Sequence, residues 1–294
     1  MALRYRKGVG EIVFDVLNYT FLALLIVVML YPCYYVVVAS MSDPVKIYDS
    51  GGLLFYPKGF ALHSYAEVIK SGQIWMGYRN TIFYVLAGGF LSVLLTLTAA
   101  FGLTRRGLPG KNVMLFFIMF TMYFSGGLIP TYLVVKGLHI TDTPLAMILP
   151  GAVSTYNLII TITYFRGMPY ELEEAAKIDG ASDYTIMFRI MFPLATPIIA
   201  VIALYYMVGI WNNYFTALIY LNDRSLFPLQ LILREILIQN DTASISATQS
   251  DAAQAYAENI KYATIVVSTI PVMCVYPFLQ RYFVKGVMIG AIKE

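Results

Sequence analysis

Residues 190–222 read IMFPLATPIIAVIALYYMVGIWNNYFTALIYLN, a run of 33 positions without one Asp, Glu, Lys or Arg. A helix rises about 1.5 Å per residue, so about 20 apolar residues cross the ~30 Å hydrocarbon core of a bilayer. Working outward from this run, five more charge-free stretches appear at 16–42, 80–104, 112–135, 143–165 and 262–280, and the six together cover half of the 294 residues. Charged residues make up 13% of the chain and hydrophobic residues 59%, whereas a soluble domain carries about 25% charged residues. The pattern excludes a soluble enzyme, a disordered protein, a disulfide scaffold and a nucleic-acid binder. The net charge of +3 is too small to call for a polyanionic partner.

The composition predicts an all-α membrane protein, because lipid offers no partner to an unpaired backbone amide. Six spans are expected near 19–39, 81–103, 113–135, 145–165, 195–221 and 262–283. Alternating segments of about ten residues, which a β-barrel needs, are missing from the sequence. The first span follows a basic start of Arg4, Arg6 and Lys7 and precedes Val37-Val38-Ala39, a passable cleavage site. Its apolar run is far longer than the core of a signal peptide, so a retained helix is expected. With the N-terminus inside, the inner segments hold twelve Lys and Arg and the outer segments eight. This bias places both termini in the cytoplasm, with a tail at 1–18, the spans within 19–283 and a second tail at 284–294. Two long outer loops, about 40–80 and 222–261, carry turn signals such as Gly51-Gly52 and Pro57-Lys58-Gly59.

Between spans four and five lies the inner segment 166–193, which reads as helix, turn and helix. Pro169 suits a first helical position. Glu171, Glu173 and Glu174 crowd the first turns, where acid complements the helix dipole. Gly180 is placed to stop the helix and Ser182 or Asp183 to cap the next. Two readings stand: an amphipathic pair lying on the membrane surface, or a protruding element whose acidic, small-residue face fits a groove on a partner.

Glu174-Ala175-Ala176, Asp179-Gly180-Ala181, Phe188, Ile190 and Pro193 resemble the EAA loop of binding-protein-dependent ABC importer permeases. Trp211-Asn212-Asn213-Tyr214-Phe215 and the tail from Gln280 to Lys293 are similar to the carbohydrate-uptake branch, nearest its MalG-like half in the group labelled LplC or YtcP. The resemblance spans nearly the whole chain. It implies the type I importer (MetI-like) fold in the cytoplasmic membrane of a bacterium, importing an oligosaccharide. It also implies a second homologous permease, two cytoplasmic ATP-binding subunits and an extracellular or periplasmic solute-binding protein. The helix 170–179 would then be a coupling helix, with Glu171, Glu174, Ala175, Ala176, Asp179 and Gly180 docking on an ATPase and Glu174 pairing with a basic residue there. The family tail often ends on Gly, whereas this one ends Lys293-Glu294.

No catalytic constellation is present. Gly110-Lys111-Asn112 lacks the upstream Gly and the Ser or Thr of a phosphate-binding loop, so this chain is expected to bind no cofactor, with ATP and Mg on partner subunits. His63 and His139 lack a second ligand at metal spacing, and Cys33 and Cys274 fall inside spans. The spans contain no interior charge, which argues against an ion carrier. Trp211, Asn212, Asn213, Tyr214, Tyr156 and Asn157 are the candidates for the substrate path, because amide and aromatic groups suit sugar hydroxyls and C–H faces. The plain alternative for each is span packing or an interfacial belt. Gly88-Gly89, Gly126-Gly127 and Gly209 are read as close-packing or bending points, and Pro130, Pro150, Pro197, Pro271 and Pro277 as helix interruptions. An importer of phosphate, amino acids or peptides is the alternative within the family, and a self-contained channel or carrier the alternative outside it.

Overall fold

A computed structural model describes residues 8–48, 54–245 and 251–291. The basic start Arg4, Arg6 and Lys7, the Gly51-Gly52 turn and the last three residues of the tail lie outside the described residues. Every regular element described is helical. In order these are α1 (Val9–Ser40), α2 (Pro44–Tyr48), α3 (His63–Lys70), α4 (Gly72–Thr104), α5 (Lys111–Tyr123), α6 (Leu128–Gly137), α7 (Pro144–Ile148), α8 (Thr155–Arg166) and α9 (Glu171–Ile178). Next come α10 (Asp183–Thr185), a π-helical stretch Ile186–Met191, α11 (Phe192–Leu194), α12 (Thr196–Trp211) and α13 (Phe215–Tyr220). A 3-10 turn Arg224–Leu226, α14 (Leu229–Ile245) and α15 (Asp251–Ala291) complete the chain.

Among the described residues, α1 and α4 are each long and apolar enough to cross a membrane alone, and two bent pairs qualify if each counts as one span. The first pair is α5 with α6, bent by 115°; the second is Asp183–Leu194 with α12, bent by 81°. The stretch read as one span at 113–135 is therefore two helices. The break spans Phe124-Ser125-Gly126-Gly127, and Gly127 stands at φ 86°, a left-handed conformation that costs glycine least. The stretch 195–221 breaks at Asn212–Tyr214, and 145–165 breaks between Ile148 and Thr155. Pro271 and Pro277, read as interruptions, instead lie inside the continuous helix α15. Proline is tolerated in a membrane helix because neighbouring groups take up the freed carbonyls.

The chain divides into two compact units. One comprises Met1–Lys70 with Ile236–Val267. Its knot is Asn259, which is 2% exposed. The Asn259 amide donates to the carbonyls of Ala39 (2.7 Å) and Ser42 (3.2 Å), and its oxygen accepts from the Ser64 hydroxyl. One side chain thus joins α15, the end of α1 and the start of α3. Val38, Ala39 and Leu54 form the apolar cluster beside it, with Tyr35, Ile47 and Tyr262 packed on.

The other unit comprises Ser71–Glu235 with Ser268–Glu294, and α4 is its axis. Gly77, Thr81, Tyr84, Gly88, Ser92, Thr96 and Ala100 are buried along α4 at helical spacing, so this face packs within the protein. A methyl group built on Gly77 would sit 2.9 Å from the Leu229 Cα, and one on Gly88 would sit 3.1 Å from the Ile210 side chain. Hydrogen-bonding groups on the same face hold the loop before α14. Asn80 donates to the carbonyls of Ser225 (2.7 Å) and Phe227 (3.0 Å), Tyr84 to Leu226 (2.8 Å), and the Thr81 hydroxyl accepts from the Leu229 amide (2.8 Å). Asp142, at φ 59°, accepts from the amides of Asn222 and Asp223, both at 2.8 Å, and pins the other end of that loop.

Candidate functional site

The segment after α8 folds as a short helix, a sharp turn and a second helix. Tyr170 precedes α9 and the acids Glu171, Glu173 and Glu174 fill its first turn. Gly180 ends it at φ 80°. The Gly180 amide donates to Lys177 (3.0 Å) and the Ala181 amide to Ala176 (2.9 Å), the paired bonds of a Schellman stop. Ser182 then caps α10 by accepting from the Thr185 amide at 3.3 Å.

Of the residues read as a docking face, Glu171, Glu174, Ala175, Asp179 and Gly180 are exposed. Ala176 is buried in the chain's own core with Ala100, Phe101, Phe165, Ile186 and Met187. The outward face also carries Ile178, 86% exposed, and Tyr184, 76% exposed.

The inward face holds a carboxylate, Glu173, that the sequence reading named only as one of three acids complementing the helix dipole. The Glu173 side chain is 8% exposed. It pairs with the Arg105 guanidinium just beyond the end of α4, and accepts from the Lys177 ammonium at 2.8 Å. Burial alone would raise the Glu173 carboxyl, but the bond from Lys177 and the Arg105 charge outweigh it and hold the group below its ordinary value. The same bond raises Lys177. Arg105 also lies 3.9 Å from the Phe101 ring centre and donates to the Phe101 carbonyl at 3.2 Å. Its neighbour Arg106 stacks 3.5 Å over the Tyr170 ring. Two consecutive arginines therefore grip the start and the inner side of α9.

A second feature is a cleft of about 560 Å³ within the same unit. Its walls come largely from the helix breaks: Pro150, Gly151 and Ser154 before α8, Tyr156 and Asn157 in its first turn, Tyr205 and Tyr206 on α12, and Asn213 and Thr216 around the start of α13. None of the lining residues is charged. Tyr206 ties the floor together: its hydroxyl bonds Thr96 of α4 at 2.7 Å and accepts from the Ser154 amide at 2.9 Å.

The sequence candidates for the path divide. Tyr156, Asn157 and Asn213 line the cleft. Asn213 also donates to Thr216 at 2.8 Å and accepts from its amide, so it shapes the turn into α13. Asn212 instead donates to the Val208 carbonyl at the end of α12 (3.0 Å). Trp211 is buried and its ring lies 6.3 Å from that of Tyr78. Tyr214 is exposed, with Arg234 5.6 Å from its ring centre. Ser154, Tyr205, Tyr206 and Thr131 line the cleft without standing among those six candidates. Among the described residues, no group of acids, histidines and cysteines could hold a metal ion.

Residues 74–289 match the family model described as the binding-protein-dependent transport system inner membrane component. The chain belongs to this family of ABC transporter permeases. The permease is 41% identical to Protein LplC of Bacillus subtilis (strain 168), over 96% of this chain and 95% of that protein. It is 40% identical to the polygalacturonan/rhamnogalacturonan transport system permease protein YtcP of the same organism, over 95% and 98%. Among solved structures it is similar to a bacterial ABC transporter involved in the import of the acidic polysaccharide alginate. That match has a TM-score of 0.85 and 29% identity over 95% of this chain and 99% of that one. The permease thus has the all-helical MetI-like fold, is an inner-membrane component and is not itself catalytic. A binding-protein-dependent permease implies partner subunits and a solute-binding protein.

Arg105 and Glu173 form a largely buried ion pair that sequence reading missed. Glu173 stands three residues before Ala176, on the same helical face, and both are buried. Arg105 is 68 positions away in sequence, and nothing local announces the pairing.

Proposed function

We propose that this permease carries an oligosaccharide or polysaccharide fragment through the membrane by alternating access, driven by ATP hydrolysis on partner subunits. The observation that carries the sugar reading is the lining of the cleft. Tyr156 and Tyr205 offer ring faces, and Asn157, Asn213, Thr216, Thr131 and Ser154 offer amides and hydroxyls, with no charge among them. Such a surface meets sugar C–H faces and hydroxyls. The names of the relatives, which include polygalacturonan/rhamnogalacturonan and arabinooligosaccharide permeases, support the same class.

In this reading the chain spans the membrane six times, at the spans given above, with both termini cytoplasmic; the Lys and Arg bias supports that orientation. The exposed side of α9 and the turn after it, Glu171, Glu174, Ala175, Asp179 and Gly180, dock in a cleft of an ATPase subunit, and Ala176 holds α9 from behind. A second homologous permease, two ATP-binding subunits and a solute-binding protein complete the importer. ATP and Mg belong to the ATP-binding subunits. Closure of those subunits moves α9, and the cleft changes the side on which it opens.

Three measurements test this. A mild-detergent purification of the tagged chain from its own host is expected to recover an ATPase and a second permease; recovery as a lone homo-oligomer overturns the reading. A thermal-shift screen of the co-encoded binding protein is expected to give stabilisation by an oligosaccharide, whereas stabilisation by phosphate, an amino acid or a peptide overturns its sugar part. Glu174→Ala is expected to cut transport at least tenfold with the membrane fold intact, because it removes a charged docking contact. Normal transport by that variant counts against the docking face.

A further inference from the structure

The docking segment is joined by the chain itself to α8 on one side and to the π-helical stretch and α12 on the other. The structure adds a third attachment that no chain connection requires. Glu173 on the inner side of α9 meets Arg105 at the end of α4, both largely shielded from solvent, and Arg106 stacks on Tyr170. Ala176, on the same face as Glu173, belongs to the same buried apolar cluster as Ala100 and Phe101 of α4. A buried ion pair is costly to separate, so α9 cannot move away from α4 without breaking it.

The other end of the link is at the cleft. Thr96 lies nine residues before Arg105, about 13 Å along a continuous helix. The Thr96 hydroxyl bonds the Tyr206 hydroxyl, which accepts from the Ser154 amide. Tyr206 and Ser154 both line the cleft. The link from α9 therefore runs Glu173–Arg105, then α4, then Thr96–Tyr206–Ser154, in residues that are packed or hydrogen-bonded at each step. We infer that Arg105, Glu173 and Thr96 are positioning residues that make α4 a coupling strut, passing the displacement of α9 to the wall of the cleft. This rests on the alternating-access reading above.

The test uses the importer assembled with its ATPase subunits in nanodiscs. Cys33 and Cys274 are replaced by Ser, and Gly151→Cys supplies one reporter thiol. Gly151 lines the cleft, and a side chain built there meets nothing within 4 Å. The rate of labelling by a membrane-impermeant maleimide is read with and without ATP and vanadate, beside ATP hydrolysis on the same sample. In the reporter background the labelling rate is expected to change at least tenfold with nucleotide. In Glu173→Gln and Thr96→Val, hydrolysis is expected to stay within about twofold, while the nucleotide-dependent change in labelling falls to less than a third. The double variant Glu173→Gln/Arg105→Gln leaves no buried charge unpaired; it is expected to assemble and still to lose the response. A full response in Thr96→Val and in the double variant overturns the strut and leaves alternating access standing. No nucleotide-dependent change in the reporter background overturns alternating access, and the strut with it.

Discussion

α1 and α4 are nearly the same length, 32 and 33 residues, and both are apolar enough to cross a membrane. Their surroundings differ sharply. In the most apolar window of α1 only 6% is buried within the protein, against 33% in α4. α1 buries Val38, Ala39 and Ser40 at its last turn and presents Leu, Ile, Val and Phe elsewhere. α4 buries a stripe of Gly, Ser, Thr and Ala. Lipid tails attract Leu as well as any protein interior does, so large apolar residues bring a helix into the bilayer without choosing its neighbours. Small and hydroxyl side chains choose them, by allowing backbones to approach and by bonding across the gap.

The largest effect that would sharpen this contrast is at the inner end of α4. Arg105→Ala strands the Glu173 carboxylate with Lys177 alone and is expected to cost about 3 kcal/mol, read as a fall in thermal unfolding temperature in detergent. Next is Gly77→Ala. Its methyl group meets backbone of Leu229 at 2.9 Å, and overpacking of this kind costs about 2 kcal/mol; an unchanged midpoint would mean that the α4 stripe is not tightly packed. A smaller, pH-dependent effect belongs to Glu173. Its folded carboxyl is held below its ordinary value, so its contribution is complete above about pH 4.3 and is lost as pH falls through the lower, folded value. Protection of the α9 amides, taken relative to their intrinsic exchange rate at each pH, is expected to fall on acidification in the wild type and to show no such step in Glu173→Gln. The smallest effect is on α1: Leu24, 61% exposed, is expected to lose less than about 0.5 kcal/mol on truncation to Ala in the isolated chain. A loss there as large as that of Gly77→Ala would break the comparison.

The apolar runs were plain in the sequence because burial in lipid needs length and freedom from charge, and both can be counted. Where those runs break was only half visible. Gly126-Gly127, Pro150-Gly151 and Asn212-Asn213 all sit at breaks, yet Pro271 and Pro277 look like breaks too and are not. A break needs somewhere for the freed backbone groups to go, and that depends on neighbours distant in sequence. The loop carrying α9 and α10 was legible down to its capping groups, since Gly180 and Ser182 act on residues within a turn or two. Its inner face was not. Glu173 looks like its neighbours Glu171 and Glu174 until Arg105 is brought to it. The cleft followed the same rule: Tyr156, Asn157 and Asn213 were found by residue type, whereas Trp211, Asn212 and Tyr214 share that chemistry and face other partners.

The cleft is built where helices stop, at Pro150–Ser154 and at Asn213. Irregular backbone at bilayer depth survives only inside protein or against water. A hollow of this kind at bilayer depth would let water into the insulating layer of the membrane. Water that reaches both faces at once would short-circuit the ion gradients of the cell. Under the alternating access proposed above, keeping one mouth shut at every instant is as much a part of the task as opening the other.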